Sequence, residues 1–259
     1  MQAEAVDSEQ DTFRAAAGLL EGRVVILTGA TGGIGTTIAR MLVAAGARTA
    51  VTDLSDERVN ALATEVGCFG AATDVASAES FASFHAEVER ELGPVDGIVS
   101  CAGLWAPLPY EDVDEEAWVA TLNGNLRTAF VACRTVLPGM VARGRGSVVN
   151  FASTAGEYGS ITPAAHYAAA KGGVVAMTKS LAREVSPHGV RVNAVSPGPI
   201  DTVALGAATP EQKSAVGART LFGRLGRPHE IGGACVFLLS PLSTFITGTV
   251  VQVNGGSLL

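Results

Sequence analysis

The sequence predicts a single α/β domain, a doubly wound parallel sheet of about seven strands with helices on both faces. From Arg23 onward, short β-branched runs alternate with longer alanine-rich amphipathic segments, the pattern of strands joined by helical crossovers. Several runs, such as residues 24–27, are apolar at every position, as strands covered on both faces are. Hydrophobic residues make up 47% and charged residues 17% of the 259 residues, a composition that excludes general disorder.

The elements follow one another along the whole chain. In order, we predict strand 24–28, helix 35–45, strand 48–52, helix 56–66, strand 68–73, helix 77–92, strand 97–101, helix 114–137, strand 147–151, helix 166–185, strand 190–195, helix 228–239 and strand 249–253. No repeat or shift in composition divides them, so residues 21–259 are expected to form one domain. Residues 1–20 are expected to be a weakly ordered extension, with a docked helix as the alternative. Aperiodic residues 197–225 contain a predicted substrate loop at about 199–225, since such long loops are usually functional or mobile.

Charge and cysteine content exclude several classes of protein. The net charge of −7 argues against binding to nucleic acid or to an anionic membrane, and no apolar run is long enough to span a bilayer. The four cysteines are widely spaced, which favours a reducing, cytoplasmic location over a disulfide framework or zinc site. No histidine–carboxylate set has metal-ligand character, so we expect metal-free chemistry.

A glycine-rich turn joins the first strand to the first helix. Glycines at 29, 33 and 35 allow a tight turn, close approach of the backbone to a pyrophosphate, and close packing of the helix on the strand. The helix N-terminus offers free N–H groups and partial positive charge to the anion. In this context the motif predicts a Rossmann-type dinucleotide site, and the alternative is an ordinary glycine-rich turn.

Asp53 ends the second strand at the distance from the glycine turn that this fingerprint requires. A carboxylate there would accept hydrogen bonds from the adenosine ribose and repel a 2′-phosphate. Leu54 and Gly32 supply no cation for that phosphate. We therefore predict NAD as the cofactor. The alternative for Asp53 is a turn or helix-cap residue.

Tyr167 and Lys171 lie four residues apart, on one face of a predicted helix. A phenol has a pKa near 10, and a nearby ammonium together with an oxidised nicotinamide would lower that pKa. Ser153 follows a strand at its carboxyl end, where open α/β sheets build their sites. Asn125 lies inside a predicted helix, so its amide requires either a ligand-side water chain or a structural hydrogen bond.

In this order and spacing, the motifs resemble those of short-chain dehydrogenases/reductases with a Tyr-x-x-x-Lys active site. The resemblance extends over residues 21–257. The positions that carry it are Gly29, Gly33, Ile34, Gly35, Asp53, Asp74, Val75, Ala102, Gly103, Asn125, Ser153, Tyr167, Lys171, Asn193, Pro197, Gly198, Thr202, Gly255 and Gly256.

The resemblance implies a role for each of four catalytic residues. Tyr167 would be the general acid/base, and Lys171 would lower its pKa and hold the nicotinamide ribose. Ser153 would stabilise the alkoxide-like charge on the substrate oxygen. Asn125 would anchor a water that connects Lys171 to solvent. The cofactor set so implied or predicted is Gly29, Thr31, Gly32, Gly33, Ile34, Gly35, Asp53, Leu54, Asp74, Val75, Cys101, Ala102, Gly103, Tyr167, Lys171, Pro197, Gly198, Ile200 and Thr202.

Two positions depart from the family pattern. Ser100 and Cys101 stand where the family usually has two asparagines, whose amides tie neighbouring strands. We expect Ser100 to substitute in part and Cys101 to be a small buried residue rather than a reactive thiol. Asn254 stands where aspartate is common, with little expected effect on the chemistry.

Five side chains are predicted to contact the substrate: Ser153, Tyr167, Trp105, Tyr158 and His166. The alternatives are a surface aromatic for Trp105, a loop aromatic for Tyr158, and a solvent-facing or cap residue for His166. Residues 203–222 contain no cationic cluster, which favours a neutral or mostly apolar substrate over a phosphorylated one.

These residues indicate an NAD(H)-dependent oxidoreductase that transfers hydride between a nicotinamide cofactor and a secondary alcohol or ketone. One alternative is a 3-oxoacyl-thioester reductase, which would be expected to use NADP and basic residues for the carrier's phosphopantetheine. The other is a noncatalytic dinucleotide-binding protein. The resemblance also implies a homotetramer or homodimer, formed through helices 114–137 and 166–185 and the C-terminal strand.

Overall fold

The computed structural model describes residues 8–202 and 208–257. All seven strands run parallel in one sheet with the order β3-β2-β1-β4-β5-β6-β7, which confirms the predicted doubly wound fold. The strands are β1 Val24–Thr28, β2 Arg48–Thr52, β3 Phe69–Gly70, β4 Gly97–Ser100, β5 Gly146–Phe151, β6 Val190–Pro197 and β7 Val250–Val253. Strand order reverses between β1 and β4, and open α/β sheets bind ligands at such a point.

Helices cover both faces of the sheet. In the described part of the chain they are α1 Glu9–Ala16, α2 Gly35–Ala44, α3 Asp56–Val66, α4 Ala78–Leu92, α5 Glu115–Leu122, α6 Thr128–Arg143, α7 Thr154–Tyr158, α8 Ala165–Val185, α9 Pro210–Gly217 and α10 Pro228–Leu239. Helices α1, α2, α3 and α10 contribute to the apolar core on one face, and α4, α6 and α8 to the core on the other. Both cores are fully buried at their centres, and β1 contributes to both of them because residues 24–27 are apolar and buried on either face.

Three predicted segments differ from the structure by more than one or two residues at their ends. The strand predicted over 68–73 pairs only at Phe69–Gly70, because β3 is an edge strand and the chain leaves the sheet beyond it. The helix predicted over 114–137 is α5 and α6 joined by a π-helical turn, Asn123–Arg127. Helix α9 lies inside the predicted substrate loop, of which residues 203–207 are outside the described residues.

Residues before β1 pack on the domain. Helix α1 begins with a capping box between Ser8 and Asp11, and it contacts α10 and α2. Ala16 and Leu20 are buried in the core, and the Leu20 N–H donates to the Ala45 carbonyl at 2.9 Å. This corrects the expected weakly ordered extension, over residues 8–20, in favour of the docked helix. Residues 1–7 of that extension lie outside the described residues.

Leu20 provides a test of this packing. Its side chain is completely buried, so Leu20→Ala is expected to lower the free energy of unfolding by about 2–5 kcal/mol through lost burial and the cavity left behind. Urea unfolding measures the change. Arg14→Ala, on the exposed side of α1, is the control and should stay within about 0.5 kcal/mol of wild type. Equal stability of the two variants would contradict a docked segment.

Candidate active site

A cavity of about 980 Å³ opens at the carboxyl ends of the strands, where strand order reverses. Its volume is at the upper end of the range for small-molecule and cofactor sites. The glycine-rich turn and Asp53 line one end of it, and Ser153, Tyr167 and Lys171 line the other. The fold therefore brings the two predicted halves of the site into one continuous cavity.

The glycine-rich turn has the shape that a phosphate site requires. Gly29 has φ +66°, and a Cβ there would lie 2.6 Å from the Ala102 backbone, so only glycine permits this close approach of the β1 and β4 loops. A Cβ at Gly35 would overlap the Gly29 carbonyl, as expected where helix and turn pack tightly. Within the described residues, the N–H groups of Gly33, Ile34 and Gly35 have no protein acceptor, so they can receive an anion.

Asp53 is fixed by hydrogen bonds at the end of β2. Its Oδ2 accepts from the Thr31 N–H at 3.0 Å and the Thr31 hydroxyl at 2.7 Å, and its Oδ1 accepts from the Leu54 N–H at 2.8 Å. The Arg58 guanidinium donates to the Thr31 carbonyl from the neighbouring helix. Asp53 lines the cavity and Arg58 does not, so the carboxylate is the charge presented at this end. Arg58 was not predicted, because a cation for the 2′-phosphate was expected only at Gly32 or Leu54.

Tyr167 and Lys171 come from the start of α8, and Ser153 caps α7 after β5. The Lys171 ammonium donates to the Phe151 carbonyl at 2.8 Å and lies 5.8 Å from the centre of the Tyr167 ring. Asn125 completes the set from the π-helical turn. All four predicted catalytic residues line the same cavity.

The pKa values in this cluster are dominated by burial. Burial raises the pKa of Tyr167 above its ordinary value, whereas hydrogen bonding with Ser153 opposes the shift. Burial also lowers the pKa of Lys171 to about 8. The Lys171 ammonium is directed at the Phe151 carbonyl rather than at the phenol, and its lowering of the tyrosine pKa stays a prediction. A further positive charge near the phenol is needed to reverse the direction.

Asn125 faces two ways. Its Nδ2 donates to the Thr121 carbonyl at 3.0 Å and the Leu104 carbonyl at 3.1 Å. Its Oδ1 is buried without a partner among the described residues, and both Oδ1 and the Lys171 ammonium face Gly103, where a Cβ would lie 2.8 Å and 3.4 Å from them. The π-helical turn produces this orientation by inserting a residue into the helix. The Nδ2 bonds correspond to the structural alternative for the amide, and a ligand-side water at Oδ1 stays a prediction.

The departure at 100–101 changes how the loop after β4 is held. The Ser100 hydroxyl is buried without a hydrogen-bond partner among the described residues, so it does not replace an asparagine amide as expected. The loop is tied to β1 instead by the Thr28 hydroxyl, which accepts from the Ala102 N–H at 3.2 Å. Burial raises the pKa of the Cys101 thiol to about 12, so it is a neutral group in the cavity wall. Asn254 accepts from the Gly256 N–H at 2.9 Å.

The structure corrects two predicted substrate contacts. Tyr158 is 56% exposed and its hydroxyl accepts from Gln252 at the end of the sheet, so the ring points away from the cavity. His166 is buried behind the cavity wall, with Nε2 3.1 Å from the Ala106 carbonyl. Trp105 does line the cavity, and its indole meets the Tyr167 ring edge-on with 4.7 Å between centroids.

Several cavity residues at the substrate end were not predicted. They are Leu104, Ser160, Ile161, Thr162, Val216 and Arg219. Helix α9, which precedes Arg219, could have been found from its Thr-Pro-x-Gln capping box. Lys213 pairs with Asp201 and Arg224 with Glu230, while Arg219 has no acidic partner among the described residues.

Two kinds of feature are absent from residues 8–202 and 208–257. No helix there is long and apolar enough to cross a bilayer. No group of three or more histidine, cysteine, aspartate or glutamate side chains is placed to hold a metal ion.

The cavity fits a nicotinamide dinucleotide. The free N–H groups of the turn suit the pyrophosphate, Asp53 suits the adenosine ribose, and Pro197, Gly198, Ile200 and Thr202 line the end near Tyr167. Asp74 and Val75 line the cavity beside Asp53, as predicted for an adenine pocket.

Comparisons with known proteins agree with this geometry. A family model described as Enoyl-(Acyl carrier protein) reductase matches residues 29–257. The chain is 39% identical to an acetoacetyl-CoA reductase of Synechocystis sp., with 91% of this chain and 96% of the relative covered. It is also 39% identical to a 3-oxoacyl-(acyl-carrier-protein) reductase of Vibrio cholerae, covering 92% and 98%. A Brucella melitensis short-chain dehydrogenase/reductase structure superposes with a TM-score of 0.88 at 35% identity, covering 94% and 99%. The chain therefore belongs to the short-chain dehydrogenase/reductase family of oxidoreductases.

Proposed function

We propose that the protein is an NAD(H)-dependent oxidoreductase that interconverts a secondary alcohol and its ketone. The observation that supports this most directly is the convergence of Asn125, Ser153, Tyr167 and Lys171 on the cavity that also contains the glycine-rich turn. A bound oxidised nicotinamide would accept hydride from the carbinol carbon and supply positive charge beside the phenol. That charge would offset the burial that raises the pKa of Tyr167.

Tyr167 and Ser153 act on the substrate oxygen. During oxidation the Tyr167 phenolate takes the hydroxyl proton, and during reduction the phenol returns it. The Ser153 hydroxyl donates to the same oxygen as negative charge develops on it. The N-cap bond from Ala155 N–H to Ser153 Oγ, at 3.2 Å, uses an acceptor site on the serine and leaves its proton available.

Lys171 and Asn125 would return the proton to solvent. With its pKa lowered to about 8, Lys171 can exchange a proton near neutral pH. The Asn125 Oδ1 and the lysine ammonium face the same space beside Gly103, which suits a water hydrogen-bonded to both. The proton path would then run from Tyr167 through Lys171 to that water.

NAD is favoured over NADP by the charge at the adenosine end. The Asp53 carboxylate is held in place by three donors and lines the cavity, so a 2′-phosphate would meet a fixed negative charge. Arg58 is engaged by the Thr31 carbonyl and does not line the cavity. This balance favours a ribose with a free 2′-hydroxyl.

Reduction of a 3-oxoacyl thioester is the second candidate. Two relatives are named as reductases of acetoacetyl-CoA and of 3-oxoacyl-(acyl-carrier-protein). Arg219, a cation without an acidic partner among the described residues, lines the substrate end and could bind the carrier's phosphate. The Asp53 carboxylate favours the alcohol/ketone reaction with NAD as the first candidate.

We also propose a cytoplasmic homotetramer or homodimer. All four cysteines are free, as a reducing compartment requires. Trp118, Val119 and Phe130 are exposed on α5 and α6, and Phe245 is exposed after α10. These apolar side chains lie on the helices and near the C-terminal strand predicted to form subunit contacts.

A substrate panel separates the candidate functions. We expect NAD-linked turnover of small secondary alcohols and ketones, followed at the absorbance of the reduced nicotinamide. Acetoacetyl-CoA and acetoacetyl-(acyl-carrier-protein) are assayed in parallel, each with NADH and with NADPH. Turnover of thioesters alone would favour the second candidate. If acetoacetyl-CoA and butan-2-one are both turned over, Arg219→Gln should lower kcat/KM for acetoacetyl-CoA and leave kcat/KM for butan-2-one unchanged. Tight NAD binding without any turnover would identify a noncatalytic protein.

Tyr167→Phe tests the proton transfer. Removing the hydroxyl is expected to lower kcat by about 10³ while NAD still binds, because general acid–base catalysis contributes about 10²–10⁴. Ser153→Ala is expected to lower kcat by about 10² through the lost donor. Tyr158→Phe is the matched control and should leave kcat unchanged, since that hydroxyl faces Gln252. Near-normal kcat in Tyr167→Phe would rule out this mechanism.

Asp53→Asn tests the cofactor preference. The amide keeps the size of the side chain and removes its charge, so the ratio of kcat/KM for NAD over NADP should fall by about 100-fold. Asp53→Ala with Leu54→Arg should shift the preference further toward NADP. Asp56→Asn, at the exposed start of α3, is the control and should leave the ratio unchanged. A wild-type preference for NADP would contradict the assignment.

A further inference from the structure

One wall of the cavity is an irregular segment, residues 101–109, that has no helix or strand to fix its path. Trp105 projects from this segment against Tyr167. The two rings meet at 80° with 4.7 Å between their centroids, an edge-to-face contact. The indole remains 45% exposed and lines the cavity, so its position determines how much room the substrate has beside the phenol.

Side chains hold the backbone on both sides of Trp105. On one side, Asn125 Nδ2 donates to the Leu104 carbonyl at 3.1 Å. On the other, His166 Nε2 lies 3.1 Å from the Ala106 carbonyl. Further along the segment, the Leu108 N–H donates to the Pro163 carbonyl at 2.8 Å. The backbone that carries the indole is therefore bound by a side chain on each side of Trp105.

His166 is suited to donate this hydrogen bond. Its side chain is 2% exposed, and a carbonyl can only accept, so the proton is assigned to Nε2. Its Nδ1 is buried with no partner among the described residues, so the bond to Ala106 is the one polar contact of the ring there. His166 precedes Tyr167 in the first turn of α8. His166, which bonds the Ala106 carbonyl, and Tyr167 are therefore neighbours in the same helix, α8.

We propose that His166 is a positioning residue that holds the Trp105 indole against Tyr167, and that the indole limits the size of the substrate's apolar substituent. The inference rests on the proposed function, in which the substrate oxygen lies at Tyr167. Without the Nε2–H bond, the half-exposed indole regains the rotamers that the fixed backbone denies it. The wall then no longer discriminates between small and bulky ketones.

The test compares two substitutions of His166. His166→Phe fills the same space and removes the donor, whereas His166→Gln keeps a terminal N–H that can reach the Ala106 carbonyl. The readout is the ratio of kcat/KM for butan-2-one over cyclohexyl methyl ketone. We expect this ratio to fall about tenfold in His166→Phe, the range in which pocket contacts discriminate apolar groups. In His166→Gln it should return to within about twofold of wild type.

Fluorescence tests the same contact without turnover. The chain has two tryptophans, so Trp118→Phe leaves Trp105 as the single emitter. In that background, His166→Phe should increase acrylamide quenching of Trp105, and His166→Gln should not. If wild type turns over no ketone, the proposed function fails, while the quenching still decides whether His166 holds the indole.

Two further variants keep the result interpretable. Trp105→Ala should itself lower the ratio, and adding His166→Phe to it should have no further effect, because both act through the indole. If His166→Phe does not fold, His166→Asn replaces it, since the shorter amide cannot reach the Ala106 carbonyl. Unchanged quenching and an unchanged ratio in the donor-less variant would overturn the proposal. Equal effects of His166→Phe and His166→Gln would also overturn it, because they would show a packing role.

Discussion

The buried ammonium of Lys171 is the interaction on which the site depends. Taking a charge out of water is costly unless hydrogen bonds replace the lost hydration, and this side chain is only 4% exposed. The Phe151 carbonyl at the end of β5 supplies one such bond at 2.8 Å. The same bond fixes the first turns of α8 against the sheet, and so it places Tyr167, one turn earlier, in the cavity. Burial lowers the pKa of Lys171 to about 8, because this one bond replaces only part of the lost hydration.

The sheet brings the remaining groups to this ammonium. All seven strands are parallel, so their carboxyl ends meet at one edge, and the loops that follow converge there. Close approach is possible because Gly29 has no side chain and the Ala102 backbone fills the space beside it. The Thr28 hydroxyl then ties the β4 loop to β1. The contact between Gly29 and Ala102 thereby joins the glycine-rich turn to the loop after β4, which lines the cavity.

The sequence predicted best the strands and helices whose pattern of apolar residues is regular. The bounds predicted for β1, β2, α3 and α10 coincide with the structure, because an apolar run or an amphipathic period is a local property of the chain. The residues predicted to bind the cofactor all line the cavity except Thr31, which supports Asp53 instead. Tyr158 and His166 were misplaced because their orientation depends on tertiary hydrogen bonds, to Gln252 and Ala106, that no sequence period encodes. The π-helical turn was also missed, because the prediction of one helix over 114–137 assumes a continuous helical period that the turn interrupts.

Asn125 contacts both the segment that carries Trp105 and the space beside the Lys171 ammonium. Its Nδ2 fixes the Leu104 carbonyl beside Trp105, while its Oδ1 faces the Lys171 ammonium. An amide is planar, so a rotation that changes one contact must change the other. The π-helical turn makes both contacts possible because it inserts a residue into the helix and points the amide into the cavity. A single buried side chain thus contacts the segment that carries Trp105 and the space beside the Lys171 ammonium.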